Sequence, residues 1–189
     1  MKRLRRNSDA VDRRFLDRAE IEAALDEVAD LAKRSGVHVA LAGGVALQAY
    51  GSKRFTVDVD IIASAHIRGL RPTEPLTFGG YSSVTSAGTV VDVMICNNEF
   101  EGAFDAALER AVKKRNIPLR IVRPEHLVVM KMIAGRGKDE LDLAWLITSG
   151  TANIYKSRKI VSDLLGHYAA REFSNFATES IWLKSQGRE

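Results

Sequence analysis

Hydrophobic positions recur along this chain in two periods, and the switches between them mark out its elements. Ile21, Ala24, Leu25, Val28, Leu31 and Ala32 fall at helical spacing, with Gly36 as a stop, so a first amphipathic helix is expected there. Val37 to Leu41 reads as a short buried strand. Gly43-Gly44 then turns the chain into a short helix over Val45 to Tyr50, closed by Gly51. Val57 to Ile62 is a second strand, and Tyr81 to Thr85 and Val90 to Ile95 form a hairpin around Ser86-Ala87-Gly88-Thr89. The stretch from Gly69 to Gly80, with two prolines and three glycines, reads as a loop or irregular edge. A helix over Glu101 to Val112 and a strand over Ile117 to Val122, ended by Pro124, come next. Helices over Leu127 to Ala134 and Lys138 to Ile147 are separated by Gly135-Arg136-Gly137, and two more cover Tyr155 to Tyr168 and Ala170 to Leu183. There is no internal repeat and no low-complexity segment.

This order of elements predicts an α+β fold, a mixed sheet of about five strands with helices on one face and a C-terminal helical extension. The segments are an N-terminal arm over residues 1–18, a core over 19–150 and the extension over 151–189. The order of strands in the sheet is not contained in the pattern.

Composition narrows the class. A hydrophobic content of 46% with 28% charged residues is that of a globular chain able to build a core. The net charge of +4 is compatible with nucleotides or RNA without requiring them. Cys96 is the sole cysteine, which excludes an intrachain disulfide and a cysteine-based zinc cluster. No apolar run approaches the roughly 18 residues of a membrane helix, so no membrane partner is expected and the reading is cytoplasmic. The arm (MKRLRRNSDAVDRR) is either a solvated tail or a basic segment touching RNA phosphates, the second weakened by Asp9, Asp12 and Asp17.

Candidate chemistry concentrates in ALAGGVALQAYGSKRFTVDVDIIAS, residues 40–64. A glycine pair between a buried strand and a helix lets backbone N–H groups approach a phosphate, or simply makes a tight connection. Thirteen residues separate Gly44 from Asp58, which with Asp60 is placed on one face of the predicted strand, with Val57, Val59 and Ile61 on the other. Two such acids repel, and a divalent cation is the commonest compensation. Asp92, on the polar face of a later strand, is a third acid. Each acid alone could be an exposed Asp on the solvent face, but two in a strand carry a local cost that asks for a reason. Lys131 is the one charged residue in LVVMKMIA and either snorkels to the surface or reaches a phosphate or carboxylate in a cleft. Asp139 and Asp142 are acids of the next helix's first turns, and for Asp139 that reading suffices. His38, His66, His126 and His167 are scattered and read as surface or capping residues.

The run from Gly43-Gly44 to RFTVDVD resembles the minimal nucleotidyltransferases of the DNA polymerase beta superfamily. The later PEHLVVMKMIAGRGKDELDLAWL is similar to segments of AbiEii-like toxins and related small nucleotidyltransferases. The resemblance covers roughly Val37 to Leu146 and implies a nucleotidyltransferase-like core. It implies that Gly43 and Gly44 hold the triphosphate of an NTP such as ATP, and that Asp58, Asp60 and Asp92 bind two Mg²⁺ ions. It further implies that Lys131 contacts phosphate, that Asp142 orients a side chain or the acceptor, and that Arg54 and Thr56 order the loop or touch the nucleotide. A departure lies at Gly44, where many active members carry serine. The implied reaction moves an NMP to an acceptor hydroxyl, on a tRNA 3′ end or a protein side chain. A toxin–antitoxin or phage-defence setting, with a cognate toxin or antitoxin partner, follows by association.

Two other classes compete. One is a non-catalytic nucleotide- or partner-binding module on the same fold, which has no need of three acids. The other is a metal-dependent phosphodiesterase or nuclease, which paired Asp residues suit equally, although such sites usually add histidines or glutamates.

Overall fold

The computed structural model describes residues 14–95 and 97–187. Most of the N-terminal arm, including its RNA-binding reading, lies outside these residues, as does Cys96. Helix α1 (Arg18–Ser35) starts at Asp17, whose carboxylate accepts from the Glu20 N–H while Glu20 accepts from the Asp17 N–H. It stops at Gly36, which takes the left-handed conformation with φ 68°. Its buried stripe, Ile21, Ala24, Leu25, Val28 and Ala32, is the one the periodicity outlined.

Six strands form one mixed sheet: β1 (Val39–Leu41), β2 (Val59–Ala63), β3 (Glu74–Pro75), β4 (Gly80–Val84), β5 (Val90–Met94) and β6 (Arg120–Ile121). Their order is β3-β4-β5-β2-β1-β6. β2 is central, parallel to β5 and antiparallel to β1. Val59 and Ile61 on β2 and Val91 and Val93 on β5 are fully buried, which anchors the register of the two strands. The expected sheet gains the two-residue β3 within the 69–80 stretch. The strand expected over Ile117 to Val122 shortens to β6, because Pro118 has no N–H for the ladder and Asn116 bends the chain with φ 63°. β6 pairs parallel with β1.

Gly79 and Gly80 shape the turn into β4. Both have positive φ, and a Cβ at Gly80 would lie 2.0 Å from the Val93 carbonyl oxygen. The chain therefore crosses the end of β5 at a distance only glycine permits.

Helix α2 (Gly43–Ala49) follows β1, α3 (Glu101–Glu109) follows β5, and α4 (Pro124–Ala134) follows β6. α4 and α5 (Gly137–Thr148) are separated by Gly135, left-handed with φ 58°. α6 (Ile154–Ser185) packs on both through Val161, Ala170, Phe173 and Ala177. It breaks at Gly166, with φ 89° and ψ 171°. A straight helix would hold residues sixteen apart about 24 Å from each other, yet Arg158 Nε donates to Ser174 Oγ at 3.2 Å. The halves therefore fold back on one another, giving the two expected helices with the break at Gly166 instead of near Ala169. Among the described residues no helix is long and apolar enough to cross a membrane. His126 corrects the expectation of surface histidines: it is buried on α4, its Nδ1 has no hydrogen-bond partner among the described residues, and burial with nearby Arg110 holds its pKa below the ordinary value.

Gly80→Ala should destabilise the fold by roughly 2 kcal/mol or more, because it adds both a strained φ and a backbone clash. Urea unfolding of the two proteins reads this directly, and an unchanged midpoint would refute the close crossing.

Candidate active site

The sheet brings two of the sequence's acids side by side. β2 and β5 are parallel neighbours with Asp60 opposite Asp92 in register. Both line a cleft of about 340 Å³ between the sheet, α3 and α4. On its other flank Asp92 faces Ser82 of β4, whose Oγ donates to Asp92 Oδ1 at 2.7 Å and fixes that carboxylate. Gly43, the first residue of α2, lies against Asp60. A Cβ there would stand 1.7 Å from Asp60 Oδ2, so only glycine lets the backbone come this close.

Asp58 is placed differently from expectation. It lies in a bend just ahead of β2, so strand alternation does not put it on Asp60's face. The buried Thr56 holds it instead: Thr56 Oγ1 is 3.1 Å from both Asp58 Oδ1 and the Asp58 carbonyl oxygen. A hydroxyl has one proton, so it serves one of these acceptors at a time. Thr56 also explains the glycine at position 44. A Cβ on Gly44 would lie 2.7 Å from Thr56 Oγ1, so this chain fills with Thr56 the space a serine would need.

The acids carry an electrostatic cost. Burial, then the charge of Asp58, then that of Asp92 push the Asp60 carboxyl up to about 6, against the opposing pull of Lys131. Neither Asp58 nor Asp60 forms an ion pair among the described residues. Among the described residues no three His, Cys, Asp or Glu side chains already converge as a cation cage. The donor set nonetheless fits Mg²⁺, a hard ion that takes one or two carboxylates from protein and the rest from phosphate and water.

Across the cleft stands a second charged group. Lys131 is buried on α4, with its Nζ 2.8 Å from Asp139 Oδ1 and 2.6 Å from Asp142 Oδ2. Arg136 Nε reaches Asp139 Oδ2 at 2.6 Å, and Arg54 pairs with Asp142. Of the two fates open to Lys131, the structure shows the carboxylate contact. Three cations share two acids, which leaves this cluster one positive charge in excess beside the acids of the sheet. Arg54, in the loop ahead of Asp58, ties that loop to Asp142 of α5. Asp139 is more than a first-turn acid. Burial works to raise its carboxyl, but hydrogen bonds from Arg136 and Lys131 outweigh this and hold it below the usual range. Sequence reasoning missed Asp139 and Arg136 as site residues, and the signal for them was a lysine in an apolar helix followed at once by a charged cluster.

Two measurements follow. Lys131→Ala should cost about 1.5–3 kcal/mol in urea unfolding, because Asp139 and Asp142 lose a buried charged hydrogen-bond partner while keeping Arg136 and Arg54. An unchanged midpoint would remove the network from the stability of α4 and α5. Asp60 acts in the opposite sense. Its folded value lies above the ordinary 3.8, so the folded state holds a proton the unfolded state has lost between those values. Its charge therefore destabilises the fold increasingly as pH rises from about 4 to 6, and fully above. Asp60→Asn should raise the melting temperature at pH 8 and leave it unchanged below pH 4. Equal melting at pH 8 would place Asp60 in an uncrowded site.

No protein-family model matches the sequence, and no curated protein matches it. Solved structures do. An antigenic nucleotidyltransferase-like protein from Paracoccidioides brasiliensis aligns over 87% of this chain and 95% of its own, at 15% identity and TM-score 0.47. JHP933 from Helicobacter pylori aligns over 89% and 95%, at 16% identity and TM-score 0.46. The antibiotic-resistance factor ANT(2″)-Ia aligns over 83% of this chain and 97% of its own, at 15% identity and TM-score 0.55. This last likeness is one of fold, and with the mixed sheet and C-terminal helices it gives the chain a nucleotidyltransferase-like fold.

Proposed function

We propose that this chain is a Mg²⁺-dependent nucleotidyltransferase that moves an NMP from an NTP to an acceptor hydroxyl. The observation that carries the reading is the pairing of Asp60 with Asp92 in register, at a cleft whose opposite wall holds Lys131, Arg136 and Asp139. A phosphoryl-transfer site needs carboxylates to hold cations and cationic side chains to meet phosphate oxygens, and one cleft supplies both. The fold likeness to ANT(2″)-Ia and the resemblance of the 43–60 and 124–146 segments support it.

In this reading Asp58, Asp60 and Asp92 hold Mg²⁺, which supplies charge neutralisation of the triphosphate and lowers the pKa of the attacking hydroxyl. The acceptor oxygen bonds to the α-phosphorus, the bond from that phosphorus to the bridging oxygen of the β-phosphate breaks, and pyrophosphate leaves with that oxygen. The hydroxyl proton passes to solvent. Gly43 keeps the backbone close to Asp60 so that a phosphate can approach. Thr56 steadies Asp58, and Ser82 steadies Asp92. Arg136 is the more exposed cation of the wall and meets phosphate while still held by Asp139, whereas Lys131 keeps Asp139 and Asp142 in place and lends its charge to the cleft. The acceptor is a tRNA 3′ end or a protein hydroxyl, and the setting is that of an AbiEii-like toxin with a cognate antitoxin.

The test is label transfer. The full chain is incubated with Mg²⁺ and each α-labelled NTP, with and without total tRNA, beside an Asp58→Asn/Asp92→Asn variant. Label should appear on RNA or protein with the wild type only, and should weaken as pH falls below about 6, where Asp60 takes up its proton. Tight Mg·NTP binding with no transfer to any acceptor would favour the binding module. Hydrolysis of RNA without transfer would favour the nuclease.

A further inference from the structure

The charged walls occupy only part of the cleft. Another part of it is apolar, built from Leu76, Phe78, Met94, Phe104, Met130 and Ile133. Met94 stands two residues beyond Asp92 on β5 and so shares its face. Met130 and Ile133 lie three apart on α4, one turn along the same face, and Met130 adjoins Lys131 in sequence. Apolar end and charged end are therefore continuous on both walls. The apolar end is also built with care. Phe78 packs edge-on against Phe100, and the stretch carrying Leu76 and Phe78 is pressed onto the end of β5 by Gly79 and Gly80. Of the side chains lining the cleft, Thr77 alone is polar and uncharged, and it is exposed.

A cleft that is cationic and acid-lined at one end and apolar at the other fits a ligand with a polyanionic end and a flat, weakly polar end. Resting on the nucleotidyltransferase reading, we infer that the apolar end seats the nucleobase of the NTP by its faces, and that its side chains do not read the base's edges. Strong base selection comes from buried hydrogen-bonding groups left unpaired by the wrong partner, and the described side chains of the apolar end supply none. Packing on aromatic and thioether faces is available to every base alike. The enzyme is thus base-tolerant, and the chamber contributes affinity rather than selection.

Isothermal titration of the full chain with Mg²⁺ tests this, using ATP, GTP, CTP, UTP and inorganic tripolyphosphate. The four NTPs should bind within about fivefold of one another, and tripolyphosphate about tenfold to a hundredfold more weakly, the range face packing of one base supplies. Phe78→Ala and Met94→Ala should weaken all four NTPs alike and leave tripolyphosphate unchanged. A single NTP preferred by more than about a hundredfold would overturn the inference. So would tripolyphosphate binding as tightly as ATP, or the two variants losing label transfer while binding NTPs normally, which would assign the chamber to the acceptor. Those three results leave the nucleotidyltransferase reading standing. Failure of every NTP and of tripolyphosphate to bind would overturn the inference together with that reading.

Discussion

A buried lysine that two acids must share is the contact on which the site's geometry turns. Lys131 cannot stay charged inside α4 without partners, and Asp139 and Asp142 supply them from the first turns of α5. That requirement fixes how α5 leaves α4 across Gly135. Asp142 then holds Arg54, so the same contact reaches back to the loop ahead of Asp58, and Asp139 holds Arg136 at the mouth of the cleft. Such a cluster adds little net stability over apolar packing, since desolvation offsets most of its Coulombic gain. What it supplies is placement: one wall of the cleft, its positive charge and the loop bearing Asp58 are set by one connected group.

The sheet side has the inverse problem. Asp60 is crowded by Asp58 and Asp92 and forms no ion pair among the described residues, while Lys131 relieves it only from a distance. The two halves are electrostatic complements that stop short of touching. Direct pairing across the cleft would satisfy both and leave nothing for a ligand. Held apart, the acids leave one wall negative and the cation cluster leaves the other positive, the separation on which the proposed metal–polyphosphate reading rests.

How much of this was legible follows from how local each feature is. α1 and its caps, the β4–β5 hairpin and the glycine–aspartate run were readable, because their signals are local periodicity, turn residues and spacing. Asp58 was assigned to the strand because the period-2 rule carried it back past its start at Val59, whereas a bend and a Thr56 hydroxyl bond hold that position beside Asp60. Asp139 was underread because a first-turn acid has an adequate local explanation, and its real partners are a lysine on another helix and an arginine three residues back. The break in α6 fell at Gly166, a residue the helical pattern tolerated and the antiparallel packing exploited. The apolar chamber was invisible in principle: its residues come from β5, α3, α4 and the loop before β4, and ordinary core residues are indistinguishable from them until the strand order is known.

Three departures from local preference stand far apart in the sequence: a glycine at the first position of a helix, aspartates at neighbouring places in a buried sheet, and a lysine in an apolar helix. Each has a plain explanation taken singly. Their convergence on one cleft does not, because only the glycine follows from another of the three, and the folding of β2 and α4 requires neither the aspartates nor the lysine. Gly43 is glycine because Asp60 is where it is, and Asp60 remains an acid although its charge destabilises the fold. A chain selected only for stability would relieve that crowding with a single amide. The crowding adds nothing to the stability of the fold, and the proposed metal site is the reading that gives the carboxylate a role there.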